Sequence, residues 1–330
     1  MNLSLLNKFF ANQAKFRFKQ AEKLIFKDLI GDWSEASVFS LALREELAQA
    51  APLEIENKLF ISKDGRSAKA IISLEDGSKI ETALMAHNDG RNTACLSSQV
   101  GCPLACKFCI SGTSFTRNLN YDEILIQALF WARYLKEKKM GRLSNIVFMG
   151  SGEPFLNYQN VFKAISYLNN PDYFDIAARK ISISTIGVSE GIRKMAREKY
   201  QINLAISLHF VNEKNRIEMM PATKKYNFKK LWEAIEYYIT ETKRKVMFEY
   251  ILIKGVNDSK KDAEALAAIM KKPLYAVNLI RYNKTGKMDP SDTKAVNDFR
   301  GVLRHKGVEV IERHRFNEDI FGACGQLIGK

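Results

Sequence analysis

The sequence predicts an α/β fold in which helices wrap a mainly parallel sheet. From about residue 92 onward, apolar runs typical of strands alternate with amphipathic helical patterns, giving six strand–helix units in succession. Such alternation indicates either an open doubly wound sheet or a partial barrel, and both place functional residues where strands end and loops begin. The predicted strands are Ala94–Val100, Asn145–Gly150, Lys180–Ile186, Asn203–His209, Val246–Ile253 and Tyr275–Tyr282. The predicted helices are Tyr121–Lys138, Asn160–Leu168, Glu190–Lys199, Phe228–Thr242 and Ser259–Lys271, followed by a helix at Lys294–Lys306 and a strand at Val308–Arg313.

Two smaller regions precede this core. Residues 1–52 carry apolar side chains at helical spacing among many lysines, which predicts a small helical domain whose basic face meets either solvent or RNA. Ser34 is the expected N-cap of its second helix. Residues 53–91 contain strand-like runs, with Asp76-Gly77 as a two-residue hairpin turn in which both residues take positive φ. The core and a cysteine-bearing C-terminal segment fill residues 92–330.

The charge balance favours a polyanionic partner. The 330 residues include 51 basic and 37 acidic side chains, a formal net charge of +14. Phosphate contacts release condensed counterions, so this excess suits nucleic-acid binding, although it equally fits a protein that is merely basic. No apolar run approaches the ~18 residues that a membrane-spanning helix needs, and no secretory signal pattern opens the chain. We therefore expect a cytoplasmic protein that does not bind a membrane.

The five cysteines indicate metal or redox chemistry rather than structural disulfides. Cys102, Cys106 and Cys109 form a CxxxCxxC motif in the first strand–helix loop. Three thiolates at this spacing can hold three irons of a [4Fe–4S] cluster and leave the fourth iron open to chelate S-adenosylmethionine (SAM). Structural zinc is the alternative, but it usually takes paired CxxC units and a fourth Cys or His, and no matching pair follows. The motif therefore predicts a cluster that cleaves SAM reductively.

The segment Gly150-Ser-Gly-Glu-Pro154 follows the second predicted strand. A glycine turn at this place lets the backbone approach a ligand, and the Glu153 carboxylate can meet an ammonium group. The segment would be an ordinary loop if it stood alone. Behind a CxxxCxxC loop, it is the expected partner of the SAM amino group.

Taken together, these segments resemble the RlmN/Cfr family of radical SAM RNA methyltransferases. They follow the family order from about residue 81 to residue 329, and all five cysteines fall on functional cysteine positions of the family. The matching segments are Cys95–Cys102, the cysteine loop, Arg117–Leu119, Met149–Pro154, Ser182–Thr185, Ser207–His209, Gly255–Asp258, Asn278–Ile280 with Asn283, and Ala323–Leu327. The resemblance implies a partial (β/α)6 radical SAM barrel behind the N-terminal helical domain and the β-hairpin extension.

The resemblance also implies a mechanism. C2 of adenine is too electron-poor to attack the methyl group of SAM, so the thiolate of Cys324 would first accept a methyl group from one SAM. A second SAM, cleaved at the cluster, would give a radical that activates this S-methyl group for addition to the ring. Cys95 would then attack the Cys324 sulfur, and a base would remove the ring proton. Glu81 falls at the family's base position, although the stretch to Cys95 is about one residue longer than the family pattern, and His87 is a rival base.

The family's ligand positions are carried over residue by residue. The residues implied to contact SAM are Gly152, Glu153, Ser184, Ser207, Leu208, His209 and Asn283. The implied cofactors are one [4Fe–4S] cluster and two SAM per turnover. The implied partners are 23S ribosomal RNA at the peptidyl transferase centre, with or without transfer RNA next to the anticodon, and a reducing protein such as flavodoxin or ferredoxin.

The position of the new methyl group divides the family. Glu153-Pro154 favours the branch that methylates adenine C2, whereas Ser184–Gly187 and Ile280–Asn283 resemble the branch that methylates C8. We predict C2 methylation. Two other classes of protein share part of the pattern. A radical SAM enzyme for a non-RNA substrate would have no use for Cys95 and Cys324, and an RNA-binding module with structural zinc would contain neither iron nor sulfide.

Overall fold

The computed structural model describes residues 1, 3–286, 288–313 and 318–327. Within these residues, one sheet of ten strands and one sheet of two strands carry the fold. The strands are β1 (Asn57–Ile61), β2 (Ser67–Ser73), β3 (Lys79–Ala86), β4 (Asn92–Cys95), β5 (Gln99–Gly101), β6 (Phe115–Asn118), β7 (Asn145–Phe148), β8 (Ile181–Thr185), β9 (Asn203–Ser207), β10 (Val246–Leu252), β11 (Tyr275–Arg281) and β12 (Val310–Glu312).

Helices follow most of the core strands. They are α1 (Leu3–Phe10), α2 (Lys15–Phe26), α3 (Leu41–Ala50), α4 (Tyr121–Glu137), α5 (Tyr158–Leu168), α6 (Ser189–Ala196), α7 (Glu213–Met219), α8 (Phe228–Thr242), α9 (Lys260–Ile269) and α10 (Thr293–His305). Short 3-10 turns lie at Trp33–Glu35, Ile110–Thr113, Pro154–Asn157, Ala178–Lys180, Pro221–Lys224 and Glu318–Ile320. No helix in the described ranges is long and apolar enough to cross a bilayer.

The large sheet confirms the predicted α/β architecture. Its strand order is β1-β2-β3-β4-β7-β8-β9-β10-β11-β12. Every pairing from β4 to β12 is parallel, whereas β1, β2, β3 and β4 pair antiparallel. The six predicted parallel strands therefore form a partial barrel, extended by β12 at one end. The hairpin region continues the same sheet at the other end, so it forms part of the barrel wall.

Burial explains why the strand pattern was readable in the sequence. Parallel strands covered by helices are buried on both faces, so their residues are nearly all apolar. In β10, for example, Val246, Phe248, Tyr250 and Leu252 are fully buried. On the helical side, the Nε1 of Trp131 in α4 donates to Thr82 Oγ1 at 2.9 Å and fastens α4 to β3. The resulting core holds the C-terminal ends of the strands in one rigid rim.

Several local predictions were wrong. Ser34 lies inside a 3-10 turn that Asp32 caps, and the following helix begins at Leu41 after its cap Ser40. The turn at Asp76-Gly77 has positive φ only at Gly77, because Leu74 and Ser78 close a wider turn through the bond from Leu74 N to Ser78 O.

The predicted strand Ala94–Val100 is interrupted. β4 ends at Cys95, where the amide of Leu96 donates to Val147 O at 2.9 Å and that of Ser98 to Ser151 O at 2.9 Å. The chain then pairs in the small sheet of β5 and β6. This break turns the chain away from the barrel wall and starts the cysteine loop above the rim. The residues of this run are apolar or polar and uncharged throughout, so the sequence pattern did not reveal that the strand ends at Cys95.

Candidate active site

The three cysteines of the CxxxCxxC motif lie on the loop between β5 and β6, at the rim formed by the strand C-termini. Cys102, Cys106 and Cys109 are free thiols that line one cavity with an empty volume of about 850 Å³. Backbone bonds fix the loop, because Cys102 N donates to Ser114 O at 2.8 Å and Lys107 N to Met219 O at 2.9 Å. The motif is thus presented to the cavity by a loop anchored at several points.

The environment of these thiols fits an iron–sulfur cluster. Burial raises the pKa of Cys102 to about 12 and that of Cys106 well above its usual range, and the neighbouring cysteines add to both effects. Thiols in such a place ionise only when a cationic group binds them. In the described ranges, no three His, Cys, Asp or Glu side chains are grouped tightly enough to hold a single metal ion. Cluster ligands each bind a different iron, so they stand further apart than the ligands of one zinc ion.

Glu153 lines the same cavity. Its carboxylate accepts from Ile186 N at 2.8 Å and from Phe155 N at 3.1 Å, and burial raises its pKa to about 7. Gly152 also lines the cavity, and its neighbours leave no room for a side chain. A Cβ at Gly152, whose φ is +105°, would meet Gln99 and the Oγ of Ser98 at 2.7 Å. The glycine therefore allows close packing against residues 98–99, and this packing holds Glu153 at the cavity.

Polar groups at the ends of β8, β9 and β10 complete the cavity wall. The Oγ of Ser184 donates to Glu249 Oε2 at 2.6 Å and lies 3.1 Å from the Oγ of Ser207. His209 follows β9 with a φ of +57°, a conformation that side chains rarely adopt. Burial and the nearby Arg216 lower the pKa of His209 to about 3, so its ring is neutral. Its Nδ1 accepts from Ile251 N at 3.2 Å, so the ring proton is on Nε2.

Two of the predicted SAM contacts do not line the cavity. The Leu208 side chain is fully buried in the core, and its carbonyl oxygen accepts from Arg216. Asn283 is also buried, and its Nδ2 donates to the carbonyl oxygen of Cys324 at 3.1 Å. The structure therefore places Asn283 against the backbone that carries Cys324.

Sequence reasoning missed Arg216, a fully buried cation beside the cluster loop. Its guanidinium donates to the carbonyl oxygens of Ile186, Ser207 and Leu208, and its exposed fraction is 1%. Burial lowers the pKa of Arg216 to about 10, and the nearby Cys106 and Glu213 oppose this effect. Arg216 thus ties the ends of two strands together and brings positive charge toward the cysteine loop. An isolated arginine in a charged helix such as α7 gives no sign of this in the sequence.

The segment that bears Cys324 folds over the cavity mouth. Cys324 and Gly325 line the cavity together with the motif cysteines. Ile110 N donates to Gly325 O at 2.9 Å and Ser111 Oγ to Leu327 O at 2.5 Å, so the segment is bonded directly to the residues after Cys109. The two distant parts of the sequence are therefore neighbours in the fold. We call residues 318–327 the carrier segment.

Cys95 approaches this segment from the barrel wall. It is buried in a small apolar cluster with Ala83 and Leu327. Burial first, and the nearby Cys324 second, raise the pKa of Cys95 to about 12. The structure therefore brings Cys95 and Cys324 near each other, which a thiol–disulfide exchange between them would need.

A second missed residue, Arg313, links both cysteines to the cavity wall. Its guanidinium lies 3.3 Å from Glu249 Oε1 and 3.4 Å from the sulfur of Met149. The charge of Cys324 is the first cause that raises the pKa of Arg313, ahead of Glu249 and Cys95. Ser184, Glu249 and Arg313 therefore form a polar chain from the cavity wall to the two cysteines.

Glu81 and His87 lie at opposite ends of β3. Ala83 pairs with Cys95 across β3 and β4, and Glu81 lies two residues beyond that pair, toward the cavity rim. Its carbonyl oxygen accepts from Ser97 Oγ at 2.6 Å. His87 lies at the hairpin loop, where its Nε2 is 3.0 Å from Thr93 Oγ1. The extra residue of this stretch can be absorbed in the loop without changing the register of Glu81 and Cys95.

The barrel, its rim and the three-cysteine loop define a class of enzyme. The family model of the radical SAM superfamily matches residues 96–267. Proteins of this superfamily use a [4Fe–4S] cluster and SAM, in agreement with the predicted cofactors. The curated relatives then narrow the class.

Three of these relatives are named "Probable dual-specificity RNA methyltransferase RlmN". The protein of Clostridium novyi is 39% identical over 321 residues, which cover 96% of this chain and 92% of the relative. That of Dictyoglomus turgidum is 38% identical over 318 residues, covering 96% and 91%. That of Thermoanaerobacter sp. is 37% identical over 335 residues, covering 99% and 96%. The chain belongs to the RlmN family of radical SAM proteins.

A solved structure supports the same assignment. The radical SAM methyltransferase from Sphaerobacter thermophilus superimposes with a TM-score of 0.92 at 36% identity, covering 99% of this chain and 97% of that one. The similarity spans the N-terminal helices and the hairpin as well as the barrel. The family resemblance predicted from motifs is therefore confirmed.

Proposed function

We propose that this protein methylates C2 of an adenosine in RNA, with Cys324 as the methyl carrier. The observation that carries the proposal is the meeting of Cys324 with the three motif cysteines in one cavity, beside a buried Cys95. A radical SAM enzyme without a protein methyl carrier would have no need for this arrangement. The relatives named above are RNA methyltransferases, which supports RNA as the substrate.

The cofactors have defined positions in this proposal. Cys102, Cys106 and Cys109 hold the cluster, which supplies the electron for cleavage of SAM when it is bound. Glu153, Ser184, Ser207 and His209 are the cavity side chains that bind SAM. The neutral His209 offers an Nε2–H donor, and Glu153 offers an acceptor for an ammonium group.

The two remaining cysteines act in sequence. The Cys324 thiolate attacks the methyl carbon of SAM. An S–CH3 bond forms, the bond from the methyl carbon to the sulfonium breaks, and S-adenosylhomocysteine leaves. Addition of the activated methylene leaves one unpaired electron in the ring. Loss of this electron, for which the cluster would be the acceptor, and of the ring proton gives a closed-shell thioether adduct. Cys95 then attacks the Cys324 sulfur. The S–S bond forms, the C–S bond breaks, and its electron pair stays with the methylene carbon, which then takes a proton. A dithiol reductant restores the two thiols before the next turnover.

Glu81 is the proposed proton acceptor for the ring. It lies on the same face of β3 as Ala83, the residue paired with Cys95, and on the rim side of that pair. His87 lies at the far end of the strand, so its position does not favour it as the base. The substrates we propose are 23S ribosomal RNA and transfer RNA, because the relatives are named as dual-specificity enzymes. A flavodoxin or ferredoxin is the proposed electron donor, and the cytoplasm the proposed location.

Nucleoside mass spectrometry of cellular RNA tests the proposal. RNA from cells with and without the gene should differ in 2-methyladenosine, in the ribosomal fraction and in the transfer RNA fraction. The appearance of 8-methyladenosine instead would show C8 methylation, which Ser184–Gly187 and Ile280–Asn283 resemble. Unchanged RNA, together with activity on a protein or a small molecule, would contradict the proposed substrate.

A further inference from the structure

Lys69 is a buried lysine on the barrel face that holds the proposed reaction partners. It pairs with Ala83 across β2 and β3, and Ala83 in turn pairs with Cys95 across β3 and β4. The three residues therefore form one transverse row of the sheet, and their side chains lie on the same face. The side chain of Lys69 is only 10% exposed.

The Lys69 ammonium contacts two different parts of the site at once. Its Nζ lies 3.5 Å from Glu81 Oε1, and the carboxylate side chain is 6% exposed. The same Nζ donates to the carbonyl oxygen of Phe321, in the carrier segment, at 3.2 Å. The ring of Phe60 lies 5.2 Å from Nζ and covers the ammonium from the β1 side. One cation thus joins the proposed base to the segment that carries the methyl group.

A buried ammonium needs such partners, because an unpaired charge in this position is costly. A lysine that only filled the sheet would be better replaced by an apolar residue of similar length. The arrangement is therefore explained by a requirement for a cation between Glu81 and the carrier segment. Its three donors can serve a carboxylate and a carbonyl oxygen at the same time.

We propose that Lys69 is a positioning residue for methyl transfer, holding the Glu81 carboxylate and the carrier segment in one fixed relation. The inference rests on the proposed function, in which Glu81 accepts the ring proton. In that step, the ring C–H bond breaks, the proton goes to a Glu81 oxygen, and the electron pair stays in the ring. Lys69 keeps its proton throughout and exchanges none with the substrate.

The carrier segment has a second anchor on the hairpin, and this provides a matched control. The amide of Lys63 donates to Asp319 Oδ2 at 2.8 Å. This bond ties the segment to the loop between β1 and β2 without involving Glu81. Asp319→Ala therefore loosens the segment alone, whereas Lys69→Met loosens it and also removes the cation beside Glu81.

The test compares wild type, Lys69→Met, Lys69→Arg, Asp319→Ala and Glu81→Gln as full-length enzymes with reconstituted clusters. Three quantities are measured on an RNA fragment: Cys324 methylation by protein mass spectrometry, RNA–protein adduct on denaturing gels, and methyladenosine. For Lys69→Met we expect Cys324 methylation within about threefold of wild type and product reduced at least about tenfold, with accumulated adduct, since a general base typically contributes 10²–10⁴-fold. Glu81→Gln should trap the same adduct, Lys69→Arg should restore turnover, and Asp319→Ala should trap none.

Each other outcome overturns a defined part of the idea. If Glu81→Gln traps adduct and Lys69→Met does not, Lys69 has no role in positioning the base. If Lys69→Met loses Cys324 methylation in proportion to product, as Asp319→Ala would, Lys69 acts only as an anchor of the segment. If Glu81→Gln turns over normally, Glu81 is not the base, and the assignment in the proposed function fails first. Methylation of Cys324 also reports folding, because it needs an intact site.

Discussion

Arg313 and Glu249 form an ion pair at 3.3 Å inside the cavity, and the pair lies near Cys95 and Cys324. Glu249 is held in turn by Ser184 Oγ at 2.6 Å. The carboxylate orients the guanidinium, and Cys324 is the first cause that raises the pKa of Arg313. This relationship predicts a role for Arg313 in loading the carrier.

Replacing Arg313 by Met should slow methylation of Cys324 by about tenfold, because it removes a cation that interacts with the attacking sulfur. A tenfold loss in rate corresponds to about 1.4 kcal/mol of activation free energy. The measurement is the rate of methyl transfer from labelled SAM to the protein in the absence of RNA. The Arg313→Lys variant keeps the positive charge, so its rate of Cys324 methylation should lie between the rates of wild type and Arg313→Met. Equal rates in all three proteins would show that Arg313 does not assist the thiolate.

Variants of Cys324 and of Cys95 should stop the methylation reaction at different stages. Cys324→Ala removes the carrier, so it should make neither an RNA adduct nor product. Cys95→Ala should still be methylated at Cys324 and still add to adenine, but it should then stall as protein cross-linked to RNA. Denaturing gels of the two variants after reaction distinguish the stages. Normal turnover by either variant would exclude the proposed mechanism.

The motif cysteines should be needed for iron, and Cys95 should not. Anaerobically reconstituted protein should contain about four irons and four sulfides per chain. Cys102→Ala, Cys106→Ala and Cys109→Ala should each lose cluster-dependent SAM cleavage, whereas Cys95→Ala should keep its cluster because it lies in the barrel wall. Iron and sulfide analysis with visible absorption measures this. Stoichiometric zinc without iron would contradict it.

Gly152 should be needed for folding of the rim. An alanine there adds a Cβ that meets Gln99 at 2.7 Å, in addition to the strain of a φ of +105°, so we expect a loss of about 2 kcal/mol or more in unfolding free energy. Denaturant unfolding of the cluster-free protein measures it. Gly301 in α10 is the control, because a Cβ there meets nothing within 4 Å and alanine favours a helix by about 1 kcal/mol. A Gly152→Ala protein as stable as wild type would refute the packing explanation.

The affinity for RNA should fall steeply as the salt concentration rises. Lysines at the rim end of the barrel should account for this dependence, because they are the ones we expect to contact phosphates. Lys224 and Lys225 follow Met220, a cavity residue, whereas Lys243 and Lys245 precede β10 at the opposite end of the strands. Neutralising Lys224 and Lys225 together should reduce the slope of log K against log [salt] by about 1 to 2. The pair Lys243 and Lys245, changed in the same way, should leave the slope near that of wild type. Equal effects of the two double variants would show that RNA does not approach from the rim.

The sequence predicted two kinds of feature correctly or in testable form. One is a set of functional residues that lie close together in the chain, and the other is a strand whose two buried faces both require apolar residues. The cysteine loop, Glu153 and the six parallel strands follow from such local patterns. Lys69, Arg216 and Arg313 were missed for one physical reason. An isolated cation in a basic sequence is typical of a solvated surface. Only the tertiary fold shows that Lys69 and Arg216 are buried, that Arg313 is half-buried, and that all three lie beside carboxylates, carbonyl oxygens or thiols.

Backbone hydrogen bonding set a second limit on what could be predicted from the sequence. The break after Cys95 depends on bonds from Leu96 and Ser98 to the segment 147–151, which lies some fifty residues away in the chain. The cap at Ser34 failed because Asp32 competes for the same turn two residues earlier. In both cases the local sequence pattern was compatible with two structures. Contacts with a distant segment decided the first case, and a competing neighbouring residue decided the second.

The burial of Cys95 has a consequence for the timing of the catalytic cycle. A thiol whose pKa is raised to about 12 is a weak nucleophile at neutral pH, so in the resting enzyme it attacks slowly. Under the proposed mechanism, oxidation of the two free thiols to a disulfide before Cys324 has received a methyl group would inactivate the carrier. An external two-electron oxidant such as O2 would drive this oxidation, and a reductant would be needed to reverse it. We propose that the apolar wall around Cys95 protects against this loss, because it keeps the Cys95 thiol protonated.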